Sequence, residues 1–171
     1  MNKYTDEQLQ TLAQSIGDQL HDTGLMLATA ESCTGGWVGK VITDIVGSSS
    51  WFDRGFITYT NKAKKEMLSV SAETLNAFGA VSEETVCEMA RGALAHSHAD
   101  MTLAITGIAG PGGGSVEKPL GTVWFAWANR EDFLHSERRH FNGDRENVRL
   151  QAVGHALEGV IKHLLSKNIQ A

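Results

Sequence analysis

The segment Glu31-Ser32-Cys33-Thr34-Gly35-Gly36 holds the first residues that could do chemistry. Ser32 sits where an apolar run, Leu25 to Ala30, gives way to an amphipathic stretch reaching about Val46. That pattern reads as strand, tight turn and helix. A serine there has two readings. It can cap the helix that follows. It can also stand as a nucleophile, as on the elbow of hydrolases, although Gly-x-Ser-x-Gly itself is absent. Gly35 and Gly36 let the N–H groups of residues 33–36 turn toward a ligand, where they would stabilise an oxyanion or hold an anion. Cys33 is the rival nucleophile, though a small buried apolar residue also fits that position.

A serine nucleophile needs a base. Histidines stand at 21, 96, 98, 135, 140, 155 and 163, and none follows a strand end with an acidic neighbour in sequence. His-Glu-x-x-His is absent, so neither a histidine base nor a metal centre is expected, and the histidines read as surface or partly buried residues. The segment Tyr59-Thr60-Asn61-Lys62-Ala63-Lys64-Lys65 offers the alternative. A lysine desolvated in a pocket loses its proton more easily and can act as a base, with a neighbouring tyrosine as relay. Serine–lysine catalysis is an established variant of the histidine triad. The competing reading makes Lys62, Lys64 and Lys65 a solvated helix face.

Two further segments suit an anionic ligand. The loop Thr106-Gly107-Ile108-Ala109-Gly110-Pro111-Gly112-Gly113-Gly114-Ser115 matches neither a Walker A loop nor Gly-x-Gly-x-x-Gly. It still permits close backbone approach to a ligand, or it is a flexible surface loop. Asn142-Gly143-Asp144-Arg145 opens the last helix, with Arg149 at i+4 on the same face. Arg145 beside helix N–H groups would suit a phosphate. Plain capping by Asp144 with exposed arginines is the simpler reading.

These residues must be positioned by the elements around them. Thr5 and Gln8 form a capping box, followed by Leu9, Leu12, Ala13, Ile16 and Leu20 on one face and Gly24 as C-cap. Strands are expected at Leu25–Ala30, Phe52–Tyr59 and Met101–Ile105, with a short helical turn at Lys62–Leu68 and a helix from Ser82 to about His96. Leu120–Ala128 and Phe133–Phe141 read as a hairpin, and a helix follows Asp144. Alternating strands and helices, then a hairpin, imply one α/β domain: a three-layer α/β/α arrangement with a mixed, mostly parallel sheet. Ligands in such sheets sit at the C-terminal strand ends, where 31–36, 59–64 and 106–115 all fall.

Composition bounds the rest. The 171 residues carry 15 Lys+Arg against 20 Asp+Glu, a net charge of −5 that argues against a nucleic-acid or membrane-surface binder. Cys33 and Cys87 form no Cys-x-x-Cys, so no zinc ribbon or disulfide framework is signalled. The polar start MNKYTDEQLQ shows no signal core and no run suits a membrane span, so a cytoplasmic location is expected. Glycine, 18 residues, is enriched, about 10% against an average near 7%.

Together, Ala30-Glu31-Ser32-Cys33-Thr34-Gly35-Gly36, Thr58-Tyr59-Thr60-Asn61 with Lys64, Ile105-Thr106-Gly107-Ile108-Ala109-Gly110-Pro111 and Gly143-Asp144-Arg145 resemble the CinA C-terminal-domain family, in its stand-alone form. The resemblance implies an α/β/α fold and hydrolysis of the carboxamide of nicotinamide mononucleotide to nicotinate mononucleotide and ammonia, without cofactor. It implies Ser32 as nucleophile with Tyr59 and Lys64 handling its proton. The substrate-binding set expected on this reading is Glu31, Thr34, Gly35, Gly36, Asn61, Thr106, Gly107, Gly112, Gly113 and Arg145. A homo-oligomer, first a dimer, is the base-rate expectation. Two other classes stay open: a nucleotide-binding module without turnover, and a hydrolase acting through Ser32 on another small amide or ester.

Overall fold

The computed structural model describes residues 4–165. Helix α1 spans Asp6–Thr23; the Thr5–Gln8 capping box starts it and left-handed Gly24 ends it. Strand β1 (Leu27–Glu31) leads to α2 (Trp37–Thr43), a 3₁₀ turn (Ser48–Ser50) and β2 (Phe52–Ile57). Helices α3 (Asn61–Leu68), α4 (Ala72–Phe78) and α5 (Glu83–Ala95) follow. Then come β3 (Met101–Gly107), β4 (Thr122–Asn129), β5 (Leu134–His140), α6 (Arg145–Gly159) and a π-helical turn (Val160–Leu165).

The sheet order is β2-β1-β3-β4-β5. Strands β2, β1 and β3 run parallel, β4 turns back on β3, and β5 turns back on β4. Only β4 opposes the other described strands, so the sheet is mixed, and its pairings divide evenly between parallel and antiparallel. The reason lies in the connections. β1 and β2 are joined through α2, and β2 reaches β3 only through α3 to α5, whereas β3 to β4 is joined by a loop and β4 to β5 by a tight hairpin.

The two faces differ in side-chain size, following the two-residue period of the strands. Leu27, Leu103, Ile105, Val123, Phe125 and Trp127 meet α1, α2 and α6 on one face. Ala30, Ala104, Ala126 and Ala128 make a shallow opposite face, on which α5 lays Val86, Met89, Ala90 and Ala93. This alternation decides the site. Glu31 shares its parity with Leu27 and faces α2, while Ser32 shares its parity with Ala30 and faces the side of α3 and α5. Among the described residues, no helix is long and apolar enough to cross a membrane.

Most expected elements lie within a few residues of their expected ends. Helix α4 has no counterpart in the sequence reading. Its Ser71 N-cap, which accepts from the Thr74 N–H, was the available signal. Helix α2 stops at Thr43, short of Val46.

Candidate active site

Ser32 follows β1 directly and is 8% exposed. Its N–H donates to Ile105 O at 3.0 Å, so the chain is still tied to β3 as it leaves the strand. It does not cap a helix: α2 begins at Trp37, and Gly36 is its N-cap. The Ser32 hydroxyl instead meets Lys64 Nζ at 2.9 Å.

Lys64 is 1% exposed, while its neighbours Lys62 and Lys65 are solvated. The lysine-rich turn therefore splits between the two readings of the sequence. Its ammonium donates to Thr58 O at 2.7 Å, which fixes the amine against the end of β2. Among the described residues no carboxylate pairs with it. Burial without a counter-charge pulls its pKa from 10.5 down to about 8. A Cys33 thiolate would oppose that shift, but burial pushes the Cys33 thiol up to about 12, so Cys33 is neutral near pH 8. The same burial makes Cys33 a poor rival nucleophile.

The turn between Ser32 and α2 is built around Glu31. Its carboxylate is 1% exposed and accepts from Thr34 Oγ1 at 2.6 Å, Gly36 N and Val38 N at 3.1 Å, and Gly39 N at 2.9 Å. A strand residue thus performs the capping that the N-cap glycine cannot, with its charge at the positive end of the helix. Gly36 has φ +98°, and a Cβ there would lie 2.8 Å from Ile57 Cδ1, so both conformation and space demand glycine. From the other side, Arg149 donates to Cys33 O at 3.0 Å and Thr34 O at 3.2 Å, with its guanidinium over the Trp37 ring.

Several of the expected contact residues have their side chains engaged within the protein. Glu31, Thr34 and Thr106 were expected to touch substrate. The Glu31 and Thr34 side chains are spent on each other and on α2, and Thr106 Oγ1 donates to Ala80 O at 2.8 Å. Their side chains position the site. The Gly36 N–H, expected to face an oxyanion, is bonded to Glu31, and the Gly35 N–H donates to Ser32 O. The Cys33 and Thr34 N–H groups have no acceptor beyond their own side chains among the described residues. A trans peptide points N–H opposite to C=O. With the Cys33 carbonyl drawn to Arg149, the Thr34 N–H points away from that arginine.

Tyr59 also sits apart from the dyad. Thr58 points inward, so its successor points outward: Tyr59 is 59% exposed and its hydroxyl accepts from Arg145 at 2.9 Å. The other arm of Arg145 donates to Gly110 O at 2.7 Å. Arg145 thus joins the end of β2 to the glycine loop, in which Gly112 and Gly113 are exposed. Asn61 opens α3, also exposed. Gly107 ends β3, where a Cβ would come within 3.1 Å of Cys33 Sγ and 2.8 Å of Val123, so it seats the turn that follows β1. The cap by Glu31 and the clamp by Arg149 escaped the sequence reading. An acidic residue ending a strand, five residues before a glycine-started helix, was the signal for the first; the clamp spans 116 residues and has no local signal.

Glu31→Ala is expected to leave the Gly36, Val38 and Gly39 N–H groups at the start of α2 without their acceptor and to lower stability by roughly 2–4 kcal/mol. Thermal melting checks this; an unchanged Tm would remove Glu31 from its positioning role.

The CinA C-terminal domain family model matches residues 9–164. The nicotinamide-nucleotide amidohydrolase PncC of Escherichia coli strain K12 is 53% identical over 161 residues, covering 94% of this chain and 98% of that protein. The protein of the same name from Pseudomonas putida is 47% identical, covering 89% and 94%. Among solved structures, the competence/damage inducible protein CihA from Agrobacterium tumefaciens superposes with a TM-score of 0.89 at 48% identity, covering 91% of this chain and 94% of that one. Matched from its first helix to its last, and aligned with these relatives over most of its length, the chain belongs to the CinA C-terminal domain family.

Proposed function

We propose that the protein is an amidase that hydrolyses the carboxamide of nicotinamide mononucleotide, releasing ammonia and nicotinate mononucleotide. The names of the Escherichia coli and Pseudomonas putida relatives support the substrate. The observation that carries the chemistry is the buried bond from Lys64 Nζ to Ser32 Oγ at 2.9 Å.

In the reacting form Lys64 is a neutral amine, and it accepts the proton of Ser32 as Oγ attacks the amide carbon. The carbonyl oxygen becomes an oxyanion, met by the Cys33 and Thr34 N–H groups. The tetrahedral intermediate collapses as the C–N bond breaks. Lys64 returns its proton to the leaving nitrogen, which departs as ammonia. Water then attacks the ester, Lys64 takes its proton, and Ser32 leaves as the free hydroxyl. Thr58 O holds the amine in line throughout. The nucleotide phosphate is assigned to Arg145 with the Gly112–Gly113 loop, and Tyr59 to orienting that arginine.

A coupled ammonia assay tests this reading. Nicotinamide mononucleotide should be turned over, and free nicotinamide at least about a hundredfold more slowly in kcat/KM, because the phosphate contacts are missing. Binding of the nucleotide without ammonia would instead favour a regulatory module. Preference for another small amide would favour a different hydrolase.

A further inference from the structure

A second cluster of chemically competent side chains lies at the far edge of the sheet. His135 and Glu137 stand two residues apart on β5, opposite Trp127 and Phe125, and so face α6. His163 comes from the π-helical turn, and its ring stacks on His135 at 4.1 Å between centroids. One ligating atom from each of His135, Glu137 and His163 lies within 4.8 Å of the others.

Two further observations point to a ligand. His163 Nε2 is buried with no hydrogen-bond partner among the described residues, a costly arrangement for a polar atom that nothing satisfies. The last helix ends in a π-helical turn that delivers this ring. The carboxylate is already oriented: His155 Nε2 lies 3.2 Å from one Glu137 oxygen, and Arg139 pairs with the other. A partner of this kind beside a ligating group is the usual outer support of a metal site. A cavity of about 380 Å³, lined by Glu137, His155 and His163 but not by His135, lies beside the cluster.

We propose that His135, Glu137 and His163 bind a divalent transition-metal ion, with zinc the best match. Two imidazoles and one carboxylate form a borderline donor set that suits zinc rather than magnesium or calcium, which want oxygen alone. Tetrahedral zinc holds such ligands about 3.3 Å apart, so the cluster must close by an ångström or so through side-chain rotation. Arg139 and Lys162 add positive charge nearby and temper the affinity. β5 lies three strands from β1, roughly 14 Å across the sheet, so the site is separate from Ser32 and Lys64. Its effect is to clip the turn after α6 to the edge strand. No local motif announces it, because His163 is 26 residues beyond Glu137, which explains why the sequence suggested no metal.

Zinc chloride titrated calorimetrically into tag-free, chelator-treated protein tests the proposal. The wild type should bind one zinc per chain and gain Tm on binding. His163→Ala should weaken binding by roughly a hundredfold and lose the Tm gain. His135→Ala, half-exposed on an edge strand, gives the same answer if the first variant does not fold. Absence of stoichiometric zinc on the wild type, or equal binding by the folded variants, would overturn the site.

Discussion

Ser32→Ala is expected to reduce ammonia release from nicotinamide mononucleotide by roughly 10³–10⁶-fold while leaving nucleotide affinity within about threefold. The size follows from the lack of a substitute. The neighbouring thiol of Cys33 is buried against Gly107, and its pKa near 12 leaves almost no thiolate at neutral pH. The fold should persist. Ser32 Oγ is held by Lys64, which keeps its bond to Thr58 O when the hydroxyl is gone. Calorimetric binding of the nucleotide, beside the ammonia assay, separates lost chemistry from lost binding. A variant retaining more than about a tenth of the wild-type rate would remove Ser32 from the nucleophile role.

Lys64→Met is expected to do two opposite things. The rate should fall by roughly 10²–10⁴-fold, the usual contribution of a general base. Stability at pH 7 should rise. The folded pKa of Lys64 is depressed to about 8 from 10.5, so the fold disfavours the protonated amine. Between pH 8 and 10.5 the unfolded chain binds more protons than the folded one, and stability rises with pH across that window. Below pH 8 the full cost is present, roughly 3 kcal/mol from the size of the shift. Methionine fills much of the same space without the charge but leaves Thr58 O without its donor. The net gain at pH 7 is therefore on the order of 1–2 kcal/mol. Melting curves should show a Tm advantage for the variant at pH 7 that vanishes by pH 10. A variant less stable than wild type at pH 7 would mean that Lys64 is not strained by burial. The arrangement is one of function set against stability, as expected for an ionisable base held in a dry site.

How far the sequence carried depends on how local each interaction is. The capping box at Thr5 and Gln8, the cap at Ser82 and the β4–β5 hairpin rest on neighbours in sequence, and all three are found. The three strand-end segments also lie at the ends of β1, β2 and β3 as the order of elements implied. Lys64 was legible only as one of two readings, because burial depends on α3 docking over the end of β1. Tyr59 shows the limit of proximity along the chain. It neighbours the dyad in sequence, yet the strand alternation that turns Thr58 inward sends it to Arg145. Glu31 shows a further limit: residue type suggested a ligand contact, while its four hydrogen bonds are all internal. The zinc cluster and the Arg149 clamp arise from contacts between elements far apart in sequence, to which periodicity and spacing are blind.

The central claim is that a neutral, buried Lys64 activates Ser32 for attack on the amide. The pH dependence of kcat/KM for ammonia release tests it most directly. Only the deprotonated amine can accept the serine proton, so log kcat/KM should rise with unit slope from acid pH and level off above about 8, where Lys64 titrates. A rate that is flat through that region, or that falls as pH climbs from 7 to 9, would contradict the account.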